Sequence, residues 1–488
     1  MCRTLALTPA ALTQGKEDMT RTLFLLTCLL AACHPAAFSQ GSAAKLPEPA
    51  ALLNQYIQLA SVTGSEKEAG VFLSGLCRGK GLHVKVLSSA PDSYNFTASL
   101  YPLESRKPNI ILLNHLDVVP VAGNSADWLY PPFSGAVADG MVWGRGALDN
   151  KGMAIMQLLA VADLVGLAAA RDLPYNVTML SVSSEETGGA LGAGLVADRY
   201  LGELNPVLVL GEGGSGVSGV LKSAPDRQVF GIEIAQKRGI RVRLSLRVAS
   251  AGHGSVPPHD YANKAMVAAL GRLLDRDPDI KLSDPAKLMF EALGKHESGL
   301  RGVAMRHTWL LKLFGGRYLR QEPLIQALVT NTATVTNISN PRLGVNQIPQ
   351  RVTATLDCRL LPGTTQRSFM RKLRNTLGNK EIELEVLSGF EEGPFTKPEG
   401  FFFNALSHAV KRVHPDAVVV PILFPASNDN SHFRAHGVPA YGLLPLYLTE
   451  ELLRTIHSSN ERIPVASLES GISVYGHFLR SILAGKSE

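Results

Sequence analysis

Three apolar runs of strand length, Ile110–Leu113, Asn176–Val182 and Val207–Leu210, constrain this chain most, because a strongly apolar helical segment, Gly152–Ala169, separates the first two. Strand, helix, strand in that order predicts a parallel sheet with helices on its faces. Folds of this kind carry their chemistry beyond the carboxyl ends of the strands. The residues that follow the runs are acids and histidines. His115 and Asp117 lie in Asn114-His-Leu-Asp-Val-Val-Pro120, and Glu185 and Glu186 in Ser183-Ser-Glu-Glu-Thr-Gly188. Asp149 lies in Trp143-Gly-Arg-Gly-Ala-Leu-Asp-Asn-Lys-Gly152, and Glu212 and His457 extend the set. Carboxylates and imidazoles gathered at strand ends point to metal-assisted hydrolysis.

With 488 residues, 45% of them apolar, the chain has material for two cores. From Gln228 the pattern changes to alternating strands at Gln228–Glu233, Arg241–Val248, Val329–Thr336 and Val352–Leu360, with helices at Tyr261–Leu274 and Arg367–Leu377. This predicts an α+β segment over 228–387 inserted into a first domain made of 46–227 and 388–488. Within the insert, Lys281–Leu324 reads as helical with loops. Strands at Ala417–Leu423 and Ala440–Leu446 and a helix at Ala466–Leu483 are expected to complete the first sheet. The fold class is therefore α/β, a mostly parallel central sheet flanked by helices, plus an inserted α+β domain.

Residues 1–45 read as a leader outside the fold. From Met19, the run Thr20-Arg-Thr-Leu-Phe-Leu-Leu-Thr-Cys-Leu-Leu-Ala-Ala-Cys33 has a basic start and an apolar stretch of signal-peptide length. Leu30–Cys33 resembles a lipobox, which predicts export and a membrane tether through lipidated Cys33; cleavage after Ser39 would give a secreted protein instead. Of five cysteines only Cys77 and Cys358 lie in the body, too few for a disulfide framework, and both are expected to be buried apolar residues. Asn95 and Asn176 begin glycosylation-type triplets, which matter only in a eukaryotic secretory route. The net charge of +6 is spread without basic runs, which argues against nucleic acid as a partner.

Two histidines, an aspartate and two glutamates suit a pair of Zn²⁺ ions, which accept nitrogen and carboxylate ligands. Two metals about 3.5–4 Å apart need a shared ligand, and a two-oxygen carboxylate can supply it. Asp149 is the candidate bridge. Of the neighbours Glu185 and Glu186, one can bind metal while the other acts as general base. Each motif alone is weak: His-x-Asp is a common surface pair, and two glutamates can simply complement a helix dipole.

The blocks around Asn114–Pro120, Trp128–Gly135, Asp139–Gly152, Ser184–Gly188 and Ile456–Ile463 together resemble the dizinc aminoacylase and carboxypeptidase family, with its acetylornithine deacetylase, succinyl-diaminopimelate desuccinylase and carboxypeptidase G members. The likeness is strongest to the carboxypeptidase S and N-fatty-acyl-amino-acid hydrolase branch. It implies that His115 and Glu212 bind one zinc, Glu186 and His457 the other, and that Asp149 bridges. It further implies Asp117 as the partner orienting His115, Glu185 as the general base, and a cis peptide after Asp149. The insert resembles the family's lid and dimerisation domain, where Ala251-Gly-His-Gly-Ser255 places His253 as an oxyanion donor, often to the other subunit. Arg359, in Leu356-Asp-Cys-Arg359, is expected to bind a substrate carboxylate. The substrate expected is a small peptide, or alternatively an N-acyl amino acid; a non-catalytic peptide-binding lipoprotein is the rival from another class. Three departures stand out. Gly211-Glu-Gly-Gly214 lacks the aspartate that branch relatives carry before the glutamate, Ser184 replaces their Asp or His, and Asn428–Phe433 only loosely matches their Thr-Asp-Ser-Arg segment.

Overall fold

In the computed structural model the described residues are 46–121, 127–249, 252–341, 344–389 and 393–484. The expected leader, with Met19 and Cys33, lies outside them. The apolar runs form the middle of an eight-stranded sheet. Its members are β1 (His83–Ala90), β2 (Ser93–Ser99), β3 (Asn109–His115), β6 (Asn176–Val182), β7 (Pro206–Val217), β8 (Val229–Gln236), β13 (Val418–Phe424) and β14 (Ala440–Tyr447), in the order β1-β2-β6-β3-β7-β14-β8-β13. The run β6-β3-β7-β14 is parallel, as is β8 with β13, whereas β1, β2 and the β14–β8 junction are antiparallel. Every residue of β3 and β6 is buried, as expected when helices cover both faces.

Alternation of side chains divides the two cores. Ile110 and Leu112 of β3 pack with Met153, Leu158 and Phe478, while Ile111 and Leu113 pack with Val196, Leu204 and Phe433. The first face is covered by helices Gly152–Ala162 and Val465–Leu483, the second by Ala193–Leu204. Nine of the eleven residues of Gly152–Ala162 are buried, which explains its apolar character all round. The expected longer helix breaks there, and a separate turn of helix follows at Val165–Ala170.

A three-stranded sheet, β15-β5-β4, joins β4 (Val137–Ala138), β5 (Met141–Trp143) and β15 (Arg462–Pro464). It brings the segment after His457 against the segment before Asp149, with Arg462 opposite Trp143. A four-stranded antiparallel sheet holds β9 (Arg238–Arg247), β10 (Thr332–Ser339), β11 (Arg351–Leu360) and β12 (Glu383–Gly389), in the order β10-β11-β9-β12. Val242, Leu244, Leu356 and Cys358 point from it onto helices Ala262–Leu274 and Gln366–Leu377.

Strand membership corrects the expected start of the insert at 228. The first of its predicted strands, β8, belongs to the large sheet, and the small sheet begins only at Arg238. Alternating hydrophobicity cannot tell one sheet from another, because both bury one strand face. Short helices between Asp284 and Val329 likewise pack on the large sheet, where Ala286, Met289 and Phe290 meet Val418 and Val420. Lys237 sits at the crossover, 1% exposed, and donates to the carbonyls of Ala327 and Thr330, both at 2.9 Å. Cys77 and Cys358 are buried free thiols. Asn95 and Asn176 are buried and hydrogen-bonded inside the sheet, so neither is accessible to glycosylation in the folded chain.

Candidate active site

His115 ends β3 and is 1% exposed. Its Nδ1 lies 2.8 Å from the main-chain carbonyl of Asp117. A carbonyl only accepts, so Nδ1 keeps its proton and Nε2 is the nitrogen that can exchange its proton for a cation. That Nε2 faces Asp149 Oδ1 at 2.9 Å and Glu212 Oε2 at 3.4 Å. On the other side, His457 Nε2 faces the second oxygen of the same carboxylate, Asp149 Oδ2, at 3.1 Å, and Glu186 Oε2 at 3.2 Å. One carboxylate thus stands between two imidazoles, each with a further carboxylate of its own.

The peptide joining Asp149 to Asn150 is cis. Asn150 ties the first half together: its Oδ1 accepts from the His115 N–H at 3.2 Å, and its Nδ2 donates to Glu212 Oε2 at 2.8 Å. Glu212 lies within β7, beyond the apolar run. Behind it, Asn428 and Asn430 donate to its main-chain carbonyl at 3.1 and 2.8 Å and also to Glu233 Oε2, at 2.6 and 3.0 Å. Arg434 closes this buried network by donating to Glu233 Oε1 at 2.6 Å. Glycine is required here: a Cβ on Gly213 or Gly442 would lie 2.4 or 2.1 Å from Glu233 Oε2.

Asp117 lies against His115 and also against the turn that carries the two glutamates. Its carbonyl holds the His115 ring, while its carboxylate, 3.5 Å from that ring, accepts from the N–H groups of Glu185 and Glu186 at 3.0 and 3.1 Å and from Thr63 Oγ1 at 2.8 Å. One aspartate therefore orients both His115 and the turn carrying the two glutamates. Glu186 joins His457; Glu185 lines a small recess with His115, Asn150, Glu212 and Asp429.

The electrostatics are those of a cage short of positive charge. Burial opposes protonation of His115, but Glu212 and the aspartates outweigh it and raise its pKa well above the ordinary imidazole range. Hydrogen bonds to Asp149 and Glu186 push His457 up to about 10. Burial, then the charge of Glu212, holds the Glu185 carboxyl well above the usual range. Asp429 is raised likewise, first by burial. Glu186 Oε1 is buried without a hydrogen-bond partner. Imidazole nitrogens converging on surplus carboxylates, and an orphaned oxygen, fit divalent cations, which would replace the protons between these groups. His115, Asp149 and Glu186, and separately His115, Glu185 and Glu212, bring ligand atoms within 4.8 Å of one another.

Two predicted residues stand elsewhere. His253 is exposed on the small domain, where its ring contacts Ser255 Oγ at 2.6 Å and Asn346 Nδ2 at 2.8 Å. Arg359, on β11, is held by Asp357 and donates to Ser427 Oγ at 3.0 Å, one residue before Asn428 of the Glu212 network. Sequence reasoning assigned no role to Glu461, although it stands in the His457 block; the structure buries it beneath the Asp149 segment. It also missed Asn150, Glu233 and Arg434, whose signal was only their proximity to quoted motifs.

The sequence pattern of "Peptidase family M20/M25/M40" matches residues 111–481. The chain is 27% identical over 384 residues to "Probable carboxypeptidase S-like 2" of Dictyostelium discoideum, covering 78% of this chain and 72% of that one. It is 26% identical over 391 residues to "N-fatty-acyl-amino acid synthase/hydrolase PM20D1" of Mus musculus, covering 78% and 76%. Among solved structures, the M20 family metallo-carboxypeptidase Sso-CP2 from Sulfolobus solfataricus superposes with a TM-score of 0.69 at 19% identity, covering 90% of this chain and all of that one. With the site and the matched span in agreement, this chain is a metal-dependent hydrolase that belongs to peptidase family M20/M25/M40.

Proposed function

We propose that the chain uses two zinc ions to hydrolyse a peptide bond next to a free α-carboxylate. The observation that carries this reading is the Asp149 carboxylate, whose two oxygens face His115 and His457 separately. His115 and Glu212 would hold one ion, Glu186 and His457 the other, and Asp149 would bridge them. When bound, such ions polarise the scissile carbonyl and lower the pKa of water. Glu185 lines the recess beside His115 and Glu212 and is not needed as a ligand in that arrangement, so it takes the proton of the attacking water and passes it to the leaving nitrogen. The Arg359 guanidinium, fixed by Asp357, receives the substrate carboxylate through its planar fork. His253 serves as oxyanion donor after domain closure or from a second copy of the chain. Exposed Ile338 on edge strand β10 and exposed Val267 support self-association through the small domain.

A second reading, hydrolysis of N-acyl amino acids, is favoured by the likeness to N-fatty-acyl-amino acid synthase/hydrolase. Both are tested by assaying zinc-loaded protein on dipeptides, N-acetyl amino acids and long-chain acyl amino acids. Turnover of at least one class, lost in Glu185→Ala, is expected; no turnover of any class with two zincs bound leaves the peptide-binding rival. We also propose export with lipidation at Cys33. Mass spectrometry of the membrane fraction is expected to find a lipid-modified Cys33 terminus, and a soluble mature chain beginning near Gln40 would refute the tether.

A further inference from the structure

The two halves of the metal cage are built unequally. His115 ends a central strand, and Glu212 lies on the neighbouring one, β7. His457 sits on a loop in the left-handed region, at φ 60°, with its side chain 50% exposed. That loop is tied down four residues later, at the fully buried Glu461. One Glu461 oxygen accepts from Arg145 Nη1 at 2.7 Å and the Gly146 N–H at 3.0 Å; the other accepts from the N–H groups of Leu148 and Asp149 at 2.9 and 3.1 Å. Its main-chain carbonyl accepts from the Gly144 N–H at 2.8 Å. Beside the β15–β5 pairing, Glu461 therefore ties the segment of His457 directly to the Leu148–Asp149 amides.

We propose that Glu461 is a positioning residue that sets the affinity of the metal position formed by His457, Glu186 and Asp149, and leaves the position formed by His115 and Glu212 largely independent of it. The proposal rests on the two-metal reading above. The His457 position draws two of its three ligands, His457 and Asp149, from the segments that Glu461 joins. The other draws only Asp149 from them; its remaining ligands stand on the central strands β3 and β7 and, apart from Asp149 itself, touch that segment through Asn150. Because each Glu461 oxygen accepts two donors, Glu461→Gln turns an amide N–H₂ toward two N–H groups in either orientation, without changing volume. The Leu148–Asp149 turn then loses its tie to the His457 loop, while the β15–β5 pairing remains.

The test is calorimetric titration of metal-free protein with Zn²⁺ alone, with circular dichroism as the check on folding. The unaltered chain is expected to take up two ions. In Glu461→Gln one site keeps its affinity, while the second weakens by about 10- to 100-fold, the usual effect of removing a group that orients metal ligands. Adding His457→Ala to Glu461→Gln leaves the surviving site unchanged, whereas adding His115→Ala removes the last tight site. Two sites of unaltered affinity in Glu461→Gln, or equal weakening of both, overturns the proposal while leaving the two-metal reading intact. A single zinc in the unaltered chain overturns that reading, and the proposal with it. Should Glu461→Gln fail to fold, hydrogen exchange on the unaltered chain decides: the second zinc equivalent, not the first, is expected to slow the amides of Leu148, Asp149 and 457–461. Slowing by the first equivalent alone overturns the proposal.

Discussion

Replacing Arg434 by Met is predicted to destabilise the metal-free protein by about 3–5 kcal/mol, the range for breaking a buried ion pair from one side. Arg434 and Glu233 are 1% and 0% exposed. Of the three acceptors that Arg434 serves, two keep another donor: the Ala440 carbonyl retains Thr396 Oγ1 at 2.9 Å and Gln236 Oε1 retains the Asn428 N–H at 3.2 Å. Only Glu233 Oε1 is left bare, so the uncompensated charge dominates the cost and three separate hydrogen-bond losses should not be summed. Glu233→Met strands the guanidinium and should cost a similar amount. The double variant Glu233→Met/Arg434→Met removes both charges and is predicted to lie within about 2 kcal/mol of the unaltered chain, because well-packed apolar replacements of buried pairs are often neutral. Its metal affinity should stay low, since Asn428 and Asn430 have lost the Glu233 oxygen that aims them at the Glu212 carbonyl. Urea unfolding of the metal-free forms, followed by circular dichroism and tryptophan fluorescence, together with zinc titration, measures both effects. An Arg434→Met variant within 1 kcal/mol of the unaltered chain, or a double variant no better than the singles, would refute the reasoning.

Glu185→Gln is predicted to lower kcat by about 10²- to 10⁴-fold with zinc stoichiometry unchanged, because it removes the proton carrier but no proposed ligand; loss of metal would instead make Glu185 a ligand. Arg359→Lys should raise KM for carboxylate-bearing substrates by about tenfold or more and leave substrates amidated at that carboxylate unaffected, which steady-state kinetics on matched pairs will show. Burial, with Arg359 nearby, pushes the Lys237 ammonium from 10.5 down to about 8. The unfolded chain then binds more protons than the folded one between pH 8 and 10.5, so folded stability relative to Lys237→Met should rise with pH across that window, by up to roughly 3 kcal/mol. A flat stability difference over the same range, from urea unfolding at each pH, would show that Lys237 is not held charged against burial.

Much of this protein was legible in its residues. Runs such as Ile110–Leu113 specify buried parallel strands because they are apolar on both faces, and the polar residues at their ends mark where chemistry gathers. The family blocks add which acid accompanies which histidine. What the chain alone could not reveal lies in contacts between distant segments. Gln228 reads as the start of the insert until β8 is seen pairing with β13, almost 190 residues later. Asp117 reads only as a ring partner of His115, and its second contact, under the amides of Glu185 and Glu186, comes from a segment 68 positions away. Glu233 and Arg434 are 201 positions apart, and Glu461 lies 312 from Asp149. Local patterns report which faces a segment must bury, because burial follows the period of the backbone; a buried charge is stable only beside its partners, and which partners those are is decided when the tertiary fold brings them together.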